Sequence, residues 1–515
     1  MNNNLLVLVA TVGLLMGCEN DSSVQPSAND ASVATNSQPS YQYSEDEPRF
    51  IVTETINSRI GQLEFVKGFP TEKTAEILFE NRTFYRALEV INQHTFGASL
   101  QRMRQGYADF GAGKPNQIIV TNDLMRPNHE FLTANSEVAY AFTFLDLKTD
   151  GPTVIEAPPG LLGVVDDMWM RHIGDIGMLG PDKGKGGKLL IIPPGYQGDI
   201  PDGYHVFHSR TYGVWVPLRS FIGAGGIKEA AARYDSLKVY PLADAANPKP
   251  TELVPMNNDV VLTVHSESYE LLEEIGHLVE HEHPDALTLD QKFLLASIGI
   301  EFGKPFNPDA KTRKILEEAG KVGAAQLRAN MWDFQGEGSK IYGQWWNPFV
   351  GGVHTWDSQN FLDYDGRALF SAYATGNTPA MVLKTIGAGS QYLCTHRDSK
   401  GQYLDGAKNY KLTVPANVPV NNFWSMVVYD SEHRSMMQTD QAFPSINSNN
   451  EANMPDVNAD GTIDIYFGPT APEGKKNNWI QTLPDKGWSG IFRLYGALEP
   501  FFDREWVLGD IEQLD

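Results

Sequence analysis

The sharpest spacing for chemistry is His277-Leu278-Val279-Glu280-His281. Two imidazoles one helical turn apart, with a glutamate between them, match the H-x-x-E-H arrangement in which neutral histidines ligate zinc and the carboxylate moves protons. His277 and His281 are therefore the candidate metal ligands. On a helix they share a face with Glu270 and Glu274, opposite the stripe Leu271, Ile275 and Leu278. Pro284 ends that helix at once and no third ligand stands at a diagnostic distance, so a solvated polar face is the competing account. His172, His205 and His208 are scattered over a β-rich region and would form a metal site only by converging in space.

A second set of residues suits anion chemistry. The stretch "GMLGPDKGKGGKLLIIPPGYQG", Gly177 to Gly198, gathers Lys183, Lys185 and Lys188 among glycines. Lys188 is followed by Leu189 and a strand, which rules out a phosphate-cradling P-loop. A hairpin is the simpler reading, with Gly184, Gly186 and Gly187 taking positive φ and Pro193-Pro194-Gly195 closing the strand. Arg171, Lys188 and Arg219, with Arg493 beside Trp424 and Tyr495, form the candidate ligand set. Guanidinium pairs bidentately with a carboxylate and aromatic rings supply apolar contact, which fits a carboxylate or sugar-acid ligand. Pairing of these arginines with Asp166, Asp175 or Asp430 would use them up.

Other signals are weaker. Asp456 to Asp464 follows the first nine positions of an EF-hand loop, but Phe467 stands where the bidentate glutamate belongs, so a turn is expected. No Gly-x-Ser-x-Gly elbow exists for nucleophilic catalysis. Cys394 has no catalytic signature around it and reads as core packing. No cofactor is indicated by any of these patterns.

The elements that must hold these residues are mostly strands. After Gly111 short β-rich runs, "QIIVTN", "VAYAFTFLDL", "YHVFHSRTYGVWVPLRSF", alternate with Gly, Pro and Asp. An amphipathic helix is expected from Pro70 to His94, and a helical block from about Ser268 to Asn330, with Thr288 and Gln291 as a capping box and Asn307-Pro308 as a helix start. Beyond Phe349 the β pattern returns in "YKLTVPANVPVNNFWSMVVYD" and "SGIFRLYGAL". The expected fold is mainly β with helices: two antiparallel β-sandwich or jelly-roll-like modules joined by a helical segment. "VWVPLRSF" and "FWSMVVYD" are expected as buried strands of different sheets.

A chain of 515 residues with 41% hydrophobic residues can build more than one core. A net charge of −23 argues against nucleic acid as a partner, because an acidic surface cannot release phosphate counterions. The apolar run Leu5–Met16 is too short to span a bilayer and ends in Leu15-Met16-Gly17-Cys18, which resembles a bacterial lipobox with Cys18 as the lipidated residue. Residues 18–48, rich in Ser, Asn, Asp and Pro, read as a disordered tether. The expected order is signal peptide 1–17, tether 18–48, β domain 49–266, helical connector 267–350 and β domain 351–515.

"TNSEVAYAFTFLDL", "GPTVIEAPPG", "DDMWMRHIGDIGMLGPDKGKGGKLLIIPPGYQG" and "RTYGVWVPLRSF", followed by "YKLTVPANVPVNNFWSMVVYD", "DGTIDIYFGP" and "FRLYGALEPFFD", carry a resemblance over most of residues 85–510. They resemble the family joining a domain of unknown function 1254 to a C-terminal domain of unknown function 1214. The resemblance implies two β-sandwich or jelly-roll-like modules and no particular reaction. The expectation is a lipid-anchored envelope protein, periplasmic or surface-facing, that binds a small anionic or carbohydrate-like ligand or serves a structural role. The alternative is a metal-assisted hydrolase with its site in the cleft between the β domains, drawing on His172, His205, His208 or His277 and His281. The expected partners are the membrane, through Cys18, and a small molecule; a homo-oligomer stays open.

Overall fold

The computed structural model describes residues 54–514, apart from 224, 334–338, 358–359 and 450–453. Cys18, the signal segment and the tether lie outside the described residues.

Two β modules flank a helical layer. In the first, a six-stranded sheet runs in the order Glu252–Pro255, Gln117–Val120, Val138–Asp146, Gly213–Phe221, Leu161–Asp167, His172–Ile176. A four-stranded sheet, His205–His208, Gly187–Ile192, Thr153–Ala157, Lys238–Pro241, covers one of its faces. Ile118, Ala141, Val216 and Leu218 of the larger sheet meet Ile155, Leu189 and Val239 of the smaller in a closed apolar core. The second module repeats the plan. Lys340–Tyr342, Trp345–Trp346, Ser390–Thr395, Trp488–Ala497, Val420–Asp430 and Ser445–Asn447 form its six-stranded sheet. Trp479–Gln481, Ile463–Gly468, Tyr410–Val414 and Glu512–Gln513 form its four-stranded one. Neighbouring strands are mostly antiparallel; Glu252–Pro255, His205–His208 and Trp479–Gln481 join their sheets in parallel. "VWVPLRSF" and "FWSMVVYD" lie in the two different six-stranded sheets.

Strand parity explains the rest. On Val138–Asp146 the residues Tyr140, Phe142 and Phe144 alternate away from the sandwich core, and Trp215 joins them from the next strand. Their rings stack on one another and on Tyr107, with Phe142 and Trp215 5.6 Å apart. Both faces of this sheet are therefore buried, one by the smaller sheet and the other by helix.

Tyr107 belongs to the helix Glu72–Asp109, which begins where Thr71 caps Thr74 N. The helix continues past the expected end at His94, because residues 94–101 are enclosed on every side and show no amphipathic stripe. Gly106 is required there: a Cβ would lie 2.2 Å from the carbonyl oxygen of Leu262. Helices Glu270–His281, Ala310–Asp333 and Tyr364–Ser371 pack around it. The Thr288–Gln291 capping box forms. The helix expected at Asn307-Pro308 begins instead at Ala310, where Asp309 accepts from Lys311 N and Thr312 N at 2.9 and 3.0 Å.

Candidate ligand-binding site

The outer faces of the two six-stranded sheets look toward each other across the residues Phe131–Asn135 and Thr375–Met381. Each middle strand carries one arginine on that face: Arg219 on Gly213–Phe221 and Arg493 on Trp488–Ala497. Each arginine stands across from a tyrosine on the neighbouring strand, Arg219 from Tyr140 and Arg493 from Tyr392. The guanidinium carbons lie 5.8 and 6.0 Å from those ring centroids, within cation–π range.

A cavity of about 460 Å³ lies between the modules. Phe131, Tyr140, Phe142, Leu161 and Phe221 come to it from the first module, Tyr392 and Ser390 from the second. Asp175, Thr378, Asn421 and Asn422 supply polar groups on its wall, which Arg219 also lines. A narrow recess of about 60 Å³ shares Phe131, Tyr140, Arg219 and Tyr392 with it and reaches Arg493 and Cys394. Met178, Leu179 and Gly184, from the loop first noted for its lysines, line the larger cavity. Its entry needs Gly177, whose φ is 97° and whose added Cβ would fall 2.2 Å from the carbonyl oxygen of Leu161.

The segment Thr375–Thr378 is stapled to the first module. Trp215 Nε1 donates to Thr375 O at 2.6 Å, Asn377 N to Asp166 Oδ2 at 2.7 Å, and Thr378 Oγ1 to Asp175 Oδ1 at 2.8 Å. These bonds use Asp166 and Asp175 without consuming either cavity arginine.

The two arginines differ in what they hold. Arg493 Nη1 donates to Tyr429 Oη and Nη2 to Thr133 O, both at 2.6 Å, while Tyr429 Oη donates to Ala134 O. Asn135 Nδ2 donates to Tyr495 Oη at 3.1 Å. Arg493 and Tyr429 thus clasp the loop Thr133–Asn135 of the first module to the second. Glu137, 2% exposed, lies near this clasp; burial pushes its carboxyl up and Arg493 acts against that. The Arg219 guanidinium makes no hydrogen bond or ion pair among the described residues. Burial opposes its charge, and the oxygens of Tyr140, Tyr392 and Tyr495 outweigh burial, so the group stays above its usual value and charged.

Of the ligand set read from the sequence, the fold brings together Arg219 and Arg493, with Tyr495 behind them. Lys188 is elsewhere, 3.0 Å from Glu156 on the solvent side of the small sheet. Trp424 points the opposite way from Arg493 and stacks on Phe492 at 5.2 Å in the sandwich core. Arg171 lines a different cavity and pairs with Asp167 at 2.6 Å. Tyr140, Tyr392 and Glu137 were not read from the sequence; the alternation Tyr140-Phe142-Phe144 was the available signal, since it places a hydroxyl on the aromatic face.

His277 is exposed, and His281 Nε2 stands 3.3 Å from Asp146 Oδ1. No group of three or more His, Cys, Asp or Glu side chains fit to hold a metal occurs among the described residues. Neither histidine lines the cavity between the modules. His205 lies against Gly187, and His172 and His208 face the second cavity. Gly184 and Gly186 take φ of 76° and 73°, whereas Gly187 opens a strand. The Asp456–Asp464 stretch is a turn with Gly461 at φ 85° and Thr462 N donating to Asp460 at 3.0 Å. Cys394 is buried, with burial pushing its thiol up to about 12.

No curated protein sequence matches the chain. Among solved structures it is similar to the VPA0106 protein from Vibrio parahaemolyticus, at 17% identity and TM-score 0.49, over 83% of this chain and 100% of that one. It is also similar to a putative uncharacterized protein from Burkholderia cenocepacia, at 13% identity and TM-score 0.38, over 86% of this chain and 96% of that one. Residues 115–241, most of the first module, match the family model described as protein of unknown function DUF1254. Residues 389–499, most of the second, match that described as protein of unknown function DUF1214. The chain is therefore a DUF1254–DUF1214 protein, with the two segments in that order and the cavity between them.

Proposed function

We propose that this protein binds a small carboxylate ligand with an apolar or sugar-like body in the cavity between its modules. The observation that carries the reading is Arg219: a guanidinium with no hydrogen bond or ion pair among the described residues, facing about 460 Å³ of cavity. A cavity-facing guanidinium that makes no hydrogen bond keeps its donors for a ligand, and a carboxylate seated on Arg219 would engage them through two parallel charge-assisted bonds. The volume falls in the range of small-molecule sites, with rings for the body and Asn421, Asn422 and Ser390 for hydroxyls. The test is isothermal titration with a series running from benzoate and medium-chain fatty acids to glucuronate. At least one member should bind saturably, and Arg219→Met should weaken it by about tenfold or more, the worth of a charge-assisted pair. No saturable binding across the series, or equal affinity in the variant, would sink the reading.

We further propose that the protein is held on the bacterial envelope by lipid at Cys18. Support comes from Leu15-Met16-Gly17-Cys18 and the polar stretch behind it. No helix among the described residues is long and apolar enough to cross a membrane. Cys18→Ser should move the protein from the membrane fraction to the soluble one; identical fractionation of both forms would remove the anchor.

A further inference from the structure

A second cavity, of about 540 Å³, is lined by His172 and Ile173 at the start of the strand His172–Ile176. It gathers three arginines, Arg171, Arg210 and Arg367, and three histidines, His172, His208 and His354. The elements that deliver them are distant in sequence. Arg171 sits on a turn held by Asp167, which accepts from Trp169 N at 2.8 Å and from Arg171 N at 3.0 Å. His208 and Arg210 close the end of an edge strand, and Arg367 projects from the helix Tyr364–Ser371. Convergence of six cationic or protonatable groups in a protein of net charge −23 is not what random surface composition gives.

The decisive feature is how little two of these charges, those of Arg367 and Arg210, are used. Arg171 Nε pairs with Asp167 and Nη1 donates to Ala286 O at 2.8 Å, which leaves its buried Nη2 with no hydrogen-bond partner. Arg367 is 8% exposed, and the one hydrogen bond of its guanidinium among the described residues is a 3.4 Å contact to the carbonyl oxygen of Trp169. It stacks over Phe96 at 4.8 Å and meets no carboxylate; burial, and then Arg171, bring it down to about 10. Arg210, exposed at the mouth, has no ion pair among the described residues. Asp357 is the remaining carboxylate on the wall; it is exposed and accepts from Thr355. His354 and His172 stand edge to face at 6.1 Å, and His172 Nε2 lies 3.2 Å from Asp175 Oδ2.

We infer that this cavity is a binding site for a phosphate-bearing anion, with Arg367 at the inner end, Arg210 at the mouth and His208 and His354 between them. Two guanidinium groups without ion pairs match a dianion rather than a monocarboxylate, and guanidinium geometry suits phosphate oxygens. The volume admits either free phosphate or a small phosphomonoester. This site shares no arginine with the cavity around Arg219, so the two proposals stand or fall separately.

The experiment is titration of the full chain with inorganic phosphate and with glycerol 3-phosphate, at fixed chloride. Saturable binding of at least one is expected, weakened about fivefold or more by Arg210→Gln and further by Arg367→Met, and unchanged by Arg219→Met. Tighter binding of glycerol 3-phosphate assigns a phosphomonoester; equal or weaker binding assigns free phosphate. If Arg367→Met does not fold, the exposed Arg210→Gln decides alone. No saturable heat with either probe, or Arg210→Gln equal to wild type, overturns the inference.

Discussion

Arg219 and Arg493 occupy matching places in the two modules: the middle strand of the six-stranded sheet, the face turned to the other module, a tyrosine directly across. One is engaged and the other is not. Arg493 donates to Tyr429 Oη and Thr133 O and so joins the modules. Arg219, with the same residue type and the same register, faces open volume. A duplicated position thus carries architecture on one side and an open valence on the other. Burial and hydrogen bonding separate them together: Arg493 is 4% exposed and its guanidinium donates twice, whereas Arg219 is half-buried and its guanidinium donates to nothing among the described residues.

The comparison can be broken by substitution. Arg493→Met should cost the most, about 3–5 kcal/mol in urea unfolding, because Thr133 O loses its donor and Glu137 loses the cation that offsets its burial. That loss should also depend on pH. Glu137 already titrates above its usual 4.5, so its share of stability is complete below that value and is lost as pH rises. Without Arg493 its carboxyl rises further, and the variant should lie closer to wild type at pH 5 than at pH 8. A pH-independent loss would mean that Glu137 and Arg493 are not coupled. Tyr429→Phe should cost about 1–2 kcal/mol, through its bonds to Arg493 and Ala134. Arg219→Met should be the smallest, within about 1 kcal/mol of wild type, since it removes a half-buried guanidinium that holds no hydrogen bond or ion pair among the described residues. If it costs as much as Arg493→Met, Arg219 belongs to the architecture and the contrast fails.

The sequence carried the modules more clearly than the site. Alternation in "VWVPLRSF" and "FWSMVVYD" marks buried strands because one face of each must be apolar, and both strands sit in the middle of their sheets or next to it. Trp424 shows the limit. It lies beside Ser425, which pairs in register with Arg493, yet adjacent strand residues point to opposite faces, so proximity to a functional residue along the chain misled. Lys188 failed for another reason: Glu156 is 32 positions earlier, and only the pairing of Gly187–Ile192 with Thr153–Ala157 puts it opposite. His277 and His281 keep their helical spacing, but spacing on one helix cannot supply ligands from another element. The helix end after His94 was hidden because enclosure on all sides erases the period that sequence reading relies on.

The walls of the cavity draw on two segments that match separate families, Tyr140 and Arg219 in one and Ser390, Tyr392 and Asn421 in the other, and on Thr375–Met381 from the stretch between them. Neither segment holds a complete lining, and the clasp from Arg493 to Thr133 registers one half against the other. A gene encoding only one segment would inherit half a pocket and an unmatched sheet face. Descent should therefore keep the two together in this order, with changes in the lining of one compensated in the other, because what selection reads is the seam between them.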